Sequence, residues 1–413
     1  MSPPRAIRIL IVDDSAVMRS LLRSVILSDK RLEVVGTATD GAAGLQAMDS
    51  LCPDLILLNV EMPVLDGLST LKEMKLKGTR IPVIMCSALT QHGARVTIEA
   101  LANGAADYVA KPSGQGSREA AALSLAQELI PKILALTAGT ALVADQVNLP
   151  GATPVPVSAA KAAPRSSRSK SLVIASSSVV SANVPQQSPA VGFSPAVVLI
   201  GLSTGGPAAL DVLLPELPAR FPLPILIVQH MPELFTKLLA ERLSGRCPMR
   251  VCEATSGEPI RPGTIYIARG DWHMEIIAAE GKVGRQTGRI GASGVAALAP
   301  VLRLTQEAPE NHCRPAADVL FRSGVAIYGS RVLGVVLTGM GYDGLAGCRL
   351  IREHGGVVLA QDQATSAVWG MPGAVAQSGL ANRVLPLNAI APEILRLVGA
   401  GHREVIGLRE AAV

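Results

Sequence analysis

The chain has 413 residues and a net charge of +5, with 49% hydrophobic but only 2% aromatic residues. That length is enough for two or three domains, each with a core built from Leu, Val, Ile and Ala. The lack of rings to stack on bases argues against nucleic acid as a partner. No run of eighteen apolar residues occurs, so no membrane span is expected. The start, "MSPPRAIRIL", has no signal-like apolar region and enters a strand at once. The six cysteines (52, 86, 247, 252, 313 and 348) form no C-x-x-C pair, which fits reduced thiols in a cytosolic protein.

Residues 7–137 alternate apolar runs with helical-period segments. The runs are "IRILIV", "LEVVGTA", "DLILL", "IPVIMCS" and "DYVAK", and the last helix is "SREAAALSLAQELIPKILAL". Five such units predict an α/β domain with a five-stranded parallel sheet covered on both faces. Residues 138–194 are rich in Ala, Ser, Pro and Val without a period, and read as a flexible linker. Lys161, Arg165, Arg168 and Lys170 stand there against Asp145 alone, so much of the basic excess lies in this segment. Its "SLVIASSSVV" could form at most a transient strand.

Residues 195–400 alternate again, with strands expected at "AVVLIG", "LPILIVQ", "TIYIA", "RVLGVVLTG" and "GGVVLAQ". This is a second, doubly wound α/β domain. Residues 284–310 read as a partly helical insertion within it.

Open parallel sheets gather chemistry at the carboxyl ends of their strands. In the first domain those ends carry Asp13 and Asp14, then Asn59, Ser87, and Lys111 before Pro112. An acid pair suits Mg²⁺, and a hydroxyl with a lysine suits phosphoryl oxygens. Taken singly, an Asp-Asp pair is as readily a helix cap and a Lys-Pro as readily a turn. "ILIVDDSAVMR", "PDLILLNVEMPVLDGL", "VIMCSALT" and "GAADYVAKP" together resemble the receiver domain of two-component response regulators. The resemblance implies an aspartate at position 59 that takes phosphate from a histidine kinase. It also implies that Asp13 and Asp14 bind the metal and that Ser87 and Lys111 read the phosphoryl group. This chain has Asn59 there instead. A neutral amide is no carboxylate nucleophile and a poorer Mg²⁺ ligand. Asn59 is therefore expected to disable phosphotransfer while the fold survives, leaving Mg²⁺ binding weakened. Asp54 and Asp66 are poorly placed to substitute.

In the second domain "VVLIGLSTGGPAAL" is a strand, a Gly-rich turn and a helix start, with Pro207 suited to the first turn. Gly201, Ser203 and Gly206 outline a dinucleotide loop weakly, since its middle glycine is replaced. G-L-S-T-G also fits a G-x-S-x-G nucleophile elbow at Ser203. His230 follows the strand "LPILIVQ", and Asp343 follows "RVLGVVLTG". Ser, His and Asp at three strand ends can meet as a triad. The order Ser-His-Asp differs from that of the α/β-hydrolases. His273, expected on an outer loop, is the rival base. His92, His312, His354 and His402 read as surface or structural residues and make no metal cluster.

"IGLSTGGP", "VQHMP", "YIARGDWHMEI", "RPAADVLF", "LTGMGYDG" and "AQDQATSAVWGMP" resemble the catalytic domain of the CheB family of chemotaxis protein-glutamate methylesterases. With the receiver in front, the resemblance covers about four-fifths of the chain. It implies Ser203 as nucleophile, His230 as base and acid, Asp343 as orienting carboxylate, and Thr204 with the Met340 N–H as oxyanion contacts. It implies a cytoplasmic enzyme with no catalytic cofactor, acting on methyl-accepting chemoreceptors, peripheral to the membrane only through them. Glutamine deamidation at the same site is implied too, as is a receiver that covers the cleft until phosphorylated. With Asn59 the receiver either restrains the enzyme permanently or serves only as a docking module. A non-catalytic scaffold is the alternative from another class. Arg314 and Asp318 read as a structural ion pair or as part of the site, and Gln361, Ser366 and Trp369 as packing residues or as a receptor-facing set.

Overall fold

The computed structural model describes residues 5–88, 90–112, 117–138, 193–279 and 299–410, with the backbone alone from residue 400. The segment read as a linker falls almost wholly outside the described residues, as does 284–298 of the expected insertion.

The first unit runs β1 (Ile7–Val12), α1 (Ala16–Ile26), β2 (Leu32–Ala38), α2 (Gly41–Leu51) and β3 (Leu55–Asn59). It continues with α3 (Gly67–Leu76), β4 (Val83–Ser87), α4 (Gln91–Ala102), β5 (Asp107–Ala110) and α5 (Arg118–Thr137). Its sheet has the order β2-β1-β3-β4-β5 with every pairing parallel. β3 and β4 are buried along their whole length because helices cover both faces. Side-chain caps start the helices: Ser15, Asp40, Asp66, Thr90 and Ser117 each accept from a backbone N–H of the first turn. Among the described residues α5 alone is long and apolar enough to cross a membrane. Here it lies on the receiver sheet, with Leu125, Leu129 and Ile133 buried against β1, β3 and β4 residues.

The second unit runs β6 (Val197–Leu202), α6 (Gly206–Leu213), β7 (Ile225–Gln229), α7 (Glu233–Ser244), β8 (Arg250–Glu253), β9 (Thr264–Ile267), β10 (His273–Ile277) and β11 (Val301–Thr305). Then come α8 (Ala317–Tyr328), β12 (Val332–Val336), α9 (Leu345–Glu353), β13 (Val357–Gln361), α10 (Met371–Gln377), β14 (Arg383–Leu385) and α11 (Leu387–Glu410). Seven strands form a parallel sheet in the order β14-β13-β12-β6-β7-β9-β8. The chain steps from β6 to β7 on one side, then returns to β12 on the other. The crevice at the carboxyl ends of β6 and β12 is therefore the switch point where such sheets bind ligands.

Three expectations are corrected. Val301–Thr305 is not helical but a strand, antiparallel to β10 from His273↔Thr305 to Ile277↔Val301. His273 opens β10 rather than sitting on a loop; it is 2% exposed, with Nε2 on Ala308 O and Nδ1 accepting from Ala316 N. Arg314 and Asp318 do not pair: Arg314 donates to the carbonyls of Gln306 and Glu307, and Asp318 takes Asn311 and Gly347. Gln361 accepts from Thr338 N, Ser366 binds Asp362 O and Trp369 donates to Gln361 O, as packing residues would.

The two units dock through α4 and β5. α4 packs on α6 and α7, and Tyr108 stacks on Phe235 with ring centroids 4.4 Å apart. One apolar cluster runs through both, joining Ile98, Leu101 and Tyr108 to Leu210, Phe235 and Leu239.

Candidate active site

At the end of β6 the chain turns through Ser203-Thr204-Gly205-Gly206 into α6. Gly205 has φ +78°, and a Cβ there would lie 2.5 Å from that of Ala367; one on Gly206 would lie 1.9 Å from Gln229 Oε1. Only glycines allow so tight an approach. The elbow is pinned on both sides. Ser203 N donates to Thr338 O, and its carbonyl accepts from Gly206 N and Gln229 Nε2 at 2.8 and 3.0 Å. The Ser203 hydroxyl makes no hydrogen bond among the described residues.

His230, just past β7, places Nε2 2.8 Å from Asp343 Oδ2, and its Nδ1 lies 3.6 Å from Cys313 Sγ. Burial pushes the imidazole down, but the bond to Asp343 and the contact with Cys313 outweigh it and raise its pKa to about 9. Asp343 is 2% exposed and also accepts from Ala317 N at 2.6 Å, Asp318 N at 3.1 Å and Asn311 Nδ2 at 3.0 Å. Burial raises this carboxyl, yet the His230 contact and these donors hold it below the usual range, so it is charged. Ser203, Thr204, His230, Asp343 and Met340 all line one cleft of about 590 Å³. A buried charged carboxylate, an imidazole and a hydroxyl on one wall form a set suited to acyl transfer.

The first unit closes part of this cleft. Asp107 Oδ2 accepts from the Thr204 hydroxyl at 2.5 Å, and Ala106 O accepts from Gly205 N at 3.1 Å. Lys132 lies 3.4 Å from Asp107 and donates to Tyr108 O at 2.6 Å.

The receiver's own strand ends do converge. Lys111 Nζ is 2.8 Å from Asp13 Oδ2, and Ser87 bonds the neighbouring Ala88 O. Asn59 Nδ2 donates to Asp14 Oδ1 at 2.9 Å and Glu61 O at 2.6 Å. Asp14, Asn59 and Lys111 share a small cavity of about 230 Å³. The amide aims its hydrogens at oxygens a cation would need, so this donor set does not fit Mg²⁺ as it stands. No group of three metal-ligating side chains occurs among the described residues.

Sequence reasoning passed over Asn311, Cys313, Gln229 and Asp107. Gln229 directly precedes His230 and was legible as a neighbour. Asn311, at φ 52°, and Cys313 reach the cleft only through the turn before α8.

The CheB methylesterase family model matches residues 198–394, and that of the response regulator receiver domain matches 9–122. A protein-glutamate methylesterase/protein-glutamine glutaminase of Nocardioides sp. is 45% identical over 94% of this chain and 95% of its own. One from Trichodesmium erythraeum is 43% identical over 95% of this chain and 99% of its own. The crystal structure of the Thermotoga maritima CheB methylesterase catalytic domain is 40% identical, covers 50% of this chain and 100% of its own, and has a TM-score of 0.45.

Proposed function

This chain belongs to the CheB family, a methylesterase domain behind a response-regulator receiver, and we propose that it hydrolyses glutamate γ-methyl esters on chemoreceptors through Ser203, His230 and Asp343. The observation that carries this reading is the 2.8 Å contact between His230 and the buried, charged Asp343 in the cleft that Ser203 lines.

His230 spends Nε2 on Asp343, so Nδ1 is the nitrogen left to take the Ser203 proton. To do so it exchanges Cys313 for the serine hydroxyl. Ser203 Oγ then attacks the ester carbonyl, and the oxyanion forms beside Thr204 and the Met340 N–H. Each such donor lowers the barrier by about 3 kcal/mol. The imidazolium returns its proton to the leaving methanol. Water, deprotonated by the same nitrogen, then cleaves the acyl-enzyme and frees the glutamate. A receptor glutamine follows the same course with ammonia as leaving group.

The docked receiver is a restraint in this reading. It spends the Thr204 hydroxyl and the Gly205 N–H on its own Asp107 and Ala106. Asn59 removes the phosphoryl acceptor, and its amide satisfies Asp14 without a cation, so a histidine kinase is not expected to lift the restraint. The enzyme would work in the cytoplasm, where receptor methylation helices are reached without crossing a membrane.

Methanol release from methylated receptor tests the assignment. Ser203→Ala should lose about six orders of magnitude in turnover with an unchanged melting curve. Turnover near wild type in a folded Ser203→Ala protein would contradict it.

A further inference from the structure

The turn before α8 brings one side chain to the triad acid that the scheme above does not use. Asn311 Nδ2 donates to Asp343 Oδ1 at 3.0 Å and to Asp318 Oδ2 at 2.9 Å. Both carboxylates are 2% exposed. Asp318 also takes Gly347 N at 2.7 Å, and its own N–H donates to Asp343 Oδ1 at 3.1 Å. Two buried carboxylates thus meet at one amide.

We propose that Asn311 is a positioning residue for the hydrolysis, and that through it the ionisation of Asp318 tunes the basicity of His230. The proposal rests on Ser203, His230 and Asp343 acting as the triad.

Like charges in a dry interior repel strongly unless a donor stands between them. The amide supplies that donor without neutralising either charge. It leaves Asp343 free to turn Oδ2 towards His230. Burial raises the Asp318 carboxyl to about 6, the Gly347 N–H opposing and the charge of Asp343 adding to it. Above that pH Asp318 carries a second negative charge behind the triad. The groups that face it are few. On the turn, Glu310 is paired with Arg322 at 2.7 Å. On α9 the Cys348 thiol is pushed well up by burial. Beyond Asp343 stands His230, with Cys313 on its other nitrogen. Asp318 also acts on Arg322, which Glu310 already pairs; towards the triad its charge reaches His230 by way of Asp343, which accepts from Asp318 N and from the shared Asn311 amide. That charge favours the imidazolium and raises the pH at which His230 becomes a base.

The test follows methanol release by the full chain against pH, together with the His230 midpoint from NMR titration of its ring carbon. Asp318→Asn removes the charge but keeps an acceptor for Gly347. Both the kinetic limb and the NMR midpoint should move to lower pH by about half a unit or more. Asn311→Ala leaves the carboxylates facing each other without a donor and should lower kcat roughly 10- to 100-fold, with KM little changed. Adding Asp318→Asn to Asn311→Ala should recover part of that loss, because it removes the repulsion. An unmoved His230 midpoint in Asp318→Asn, or a double variant no better than Asn311→Ala, would overturn the proposal and leave Asn311 a structural residue of the turn. If Asn311→Ala does not fold, the Asp318→Asn titration decides alone. Turnover in Ser203→Ala would instead strike the triad reading, whatever the midpoint does.

Discussion

Asp107, at the start of β5, accepts a 2.5 Å hydrogen bond from the hydroxyl of Thr204, the residue that follows Ser203. The receiver therefore touches the Ser203 elbow itself and does not merely shade the cleft.

Removing that carboxylate should loosen the dock. A hydrogen bond to a charged group contributes about 1.5 kcal/mol or more, roughly tenfold in an equilibrium. Asp107→Ala should raise basal methanol release by about that factor. An unchanged rate would leave the restraint to the Ala106–Gly205 bond, the Tyr108–Phe235 stack and the packing of α4 on α6 and α7.

Asn59→Asp reverses the logic of the receiver pocket. Asn59 is 5% exposed and donates to Asp14, so a carboxylate there sets two acids against each other. The variant should lose about 1–3 kcal/mol of stability without divalent cation, and Mg²⁺ should restore it by binding the folded form. With a small phosphodonor and Mg²⁺ it should gain about 80 Da, one phosphoryl group, while the natural chain gains nothing. A stable adduct of that mass on the natural chain would show that another residue accepts phosphate.

In the proposed scheme His230 must be neutral to take the Ser203 proton, yet its pKa is raised to about 9. The base form is the deprotonated one, so activity gains as pH rises towards that value. Basal turnover should climb by up to about tenfold per pH unit between about pH 7 and 9 and then level off. A flat profile across that range would mean that the working histidine is released from Asp343 or Cys313 before catalysis.

Gly206 is held against Gln229, whose amide supports the Ser203 carbonyl at 3.0 Å. Gly206→Ala must push Gln229 aside. Its kcat should fall by about tenfold or more with little change in KM, since only the aim of Ser203 is disturbed. Wild-type kcat in this variant would mean that Gln229 does not hold the elbow.

Much of this molecule was legible as sequence because its central strands are unbroken apolar runs. "IRILIV" and "LEVVGTA" match their strands residue for residue. β8, β10, β11 and β14 were not seen, being three to five residues long and carrying charged or polar members, as in "RVCE" and "VLRLT". His273 looked like a loop residue for that reason. The strand ends announced Ser203, His230 and Asp343, but nothing local announced Asn311. Its place depends on a left-handed turn and on two acids, one seven residues on and the other 32. The reach of Asp107 to Thr204 was equally hidden, since it exists only once two separately folded sheets meet.

The most direct test compares initial methanol release, at equal concentration and without phosphodonor, by the full chain and by residues 194–413. A cleft restrained by its receiver predicts that the fragment is faster by about tenfold or more, and that Ser203→Ala silences both. Equal rates for the full chain and the fragment would contradict the account, leaving the receiver contact at Thr204 without influence on catalysis.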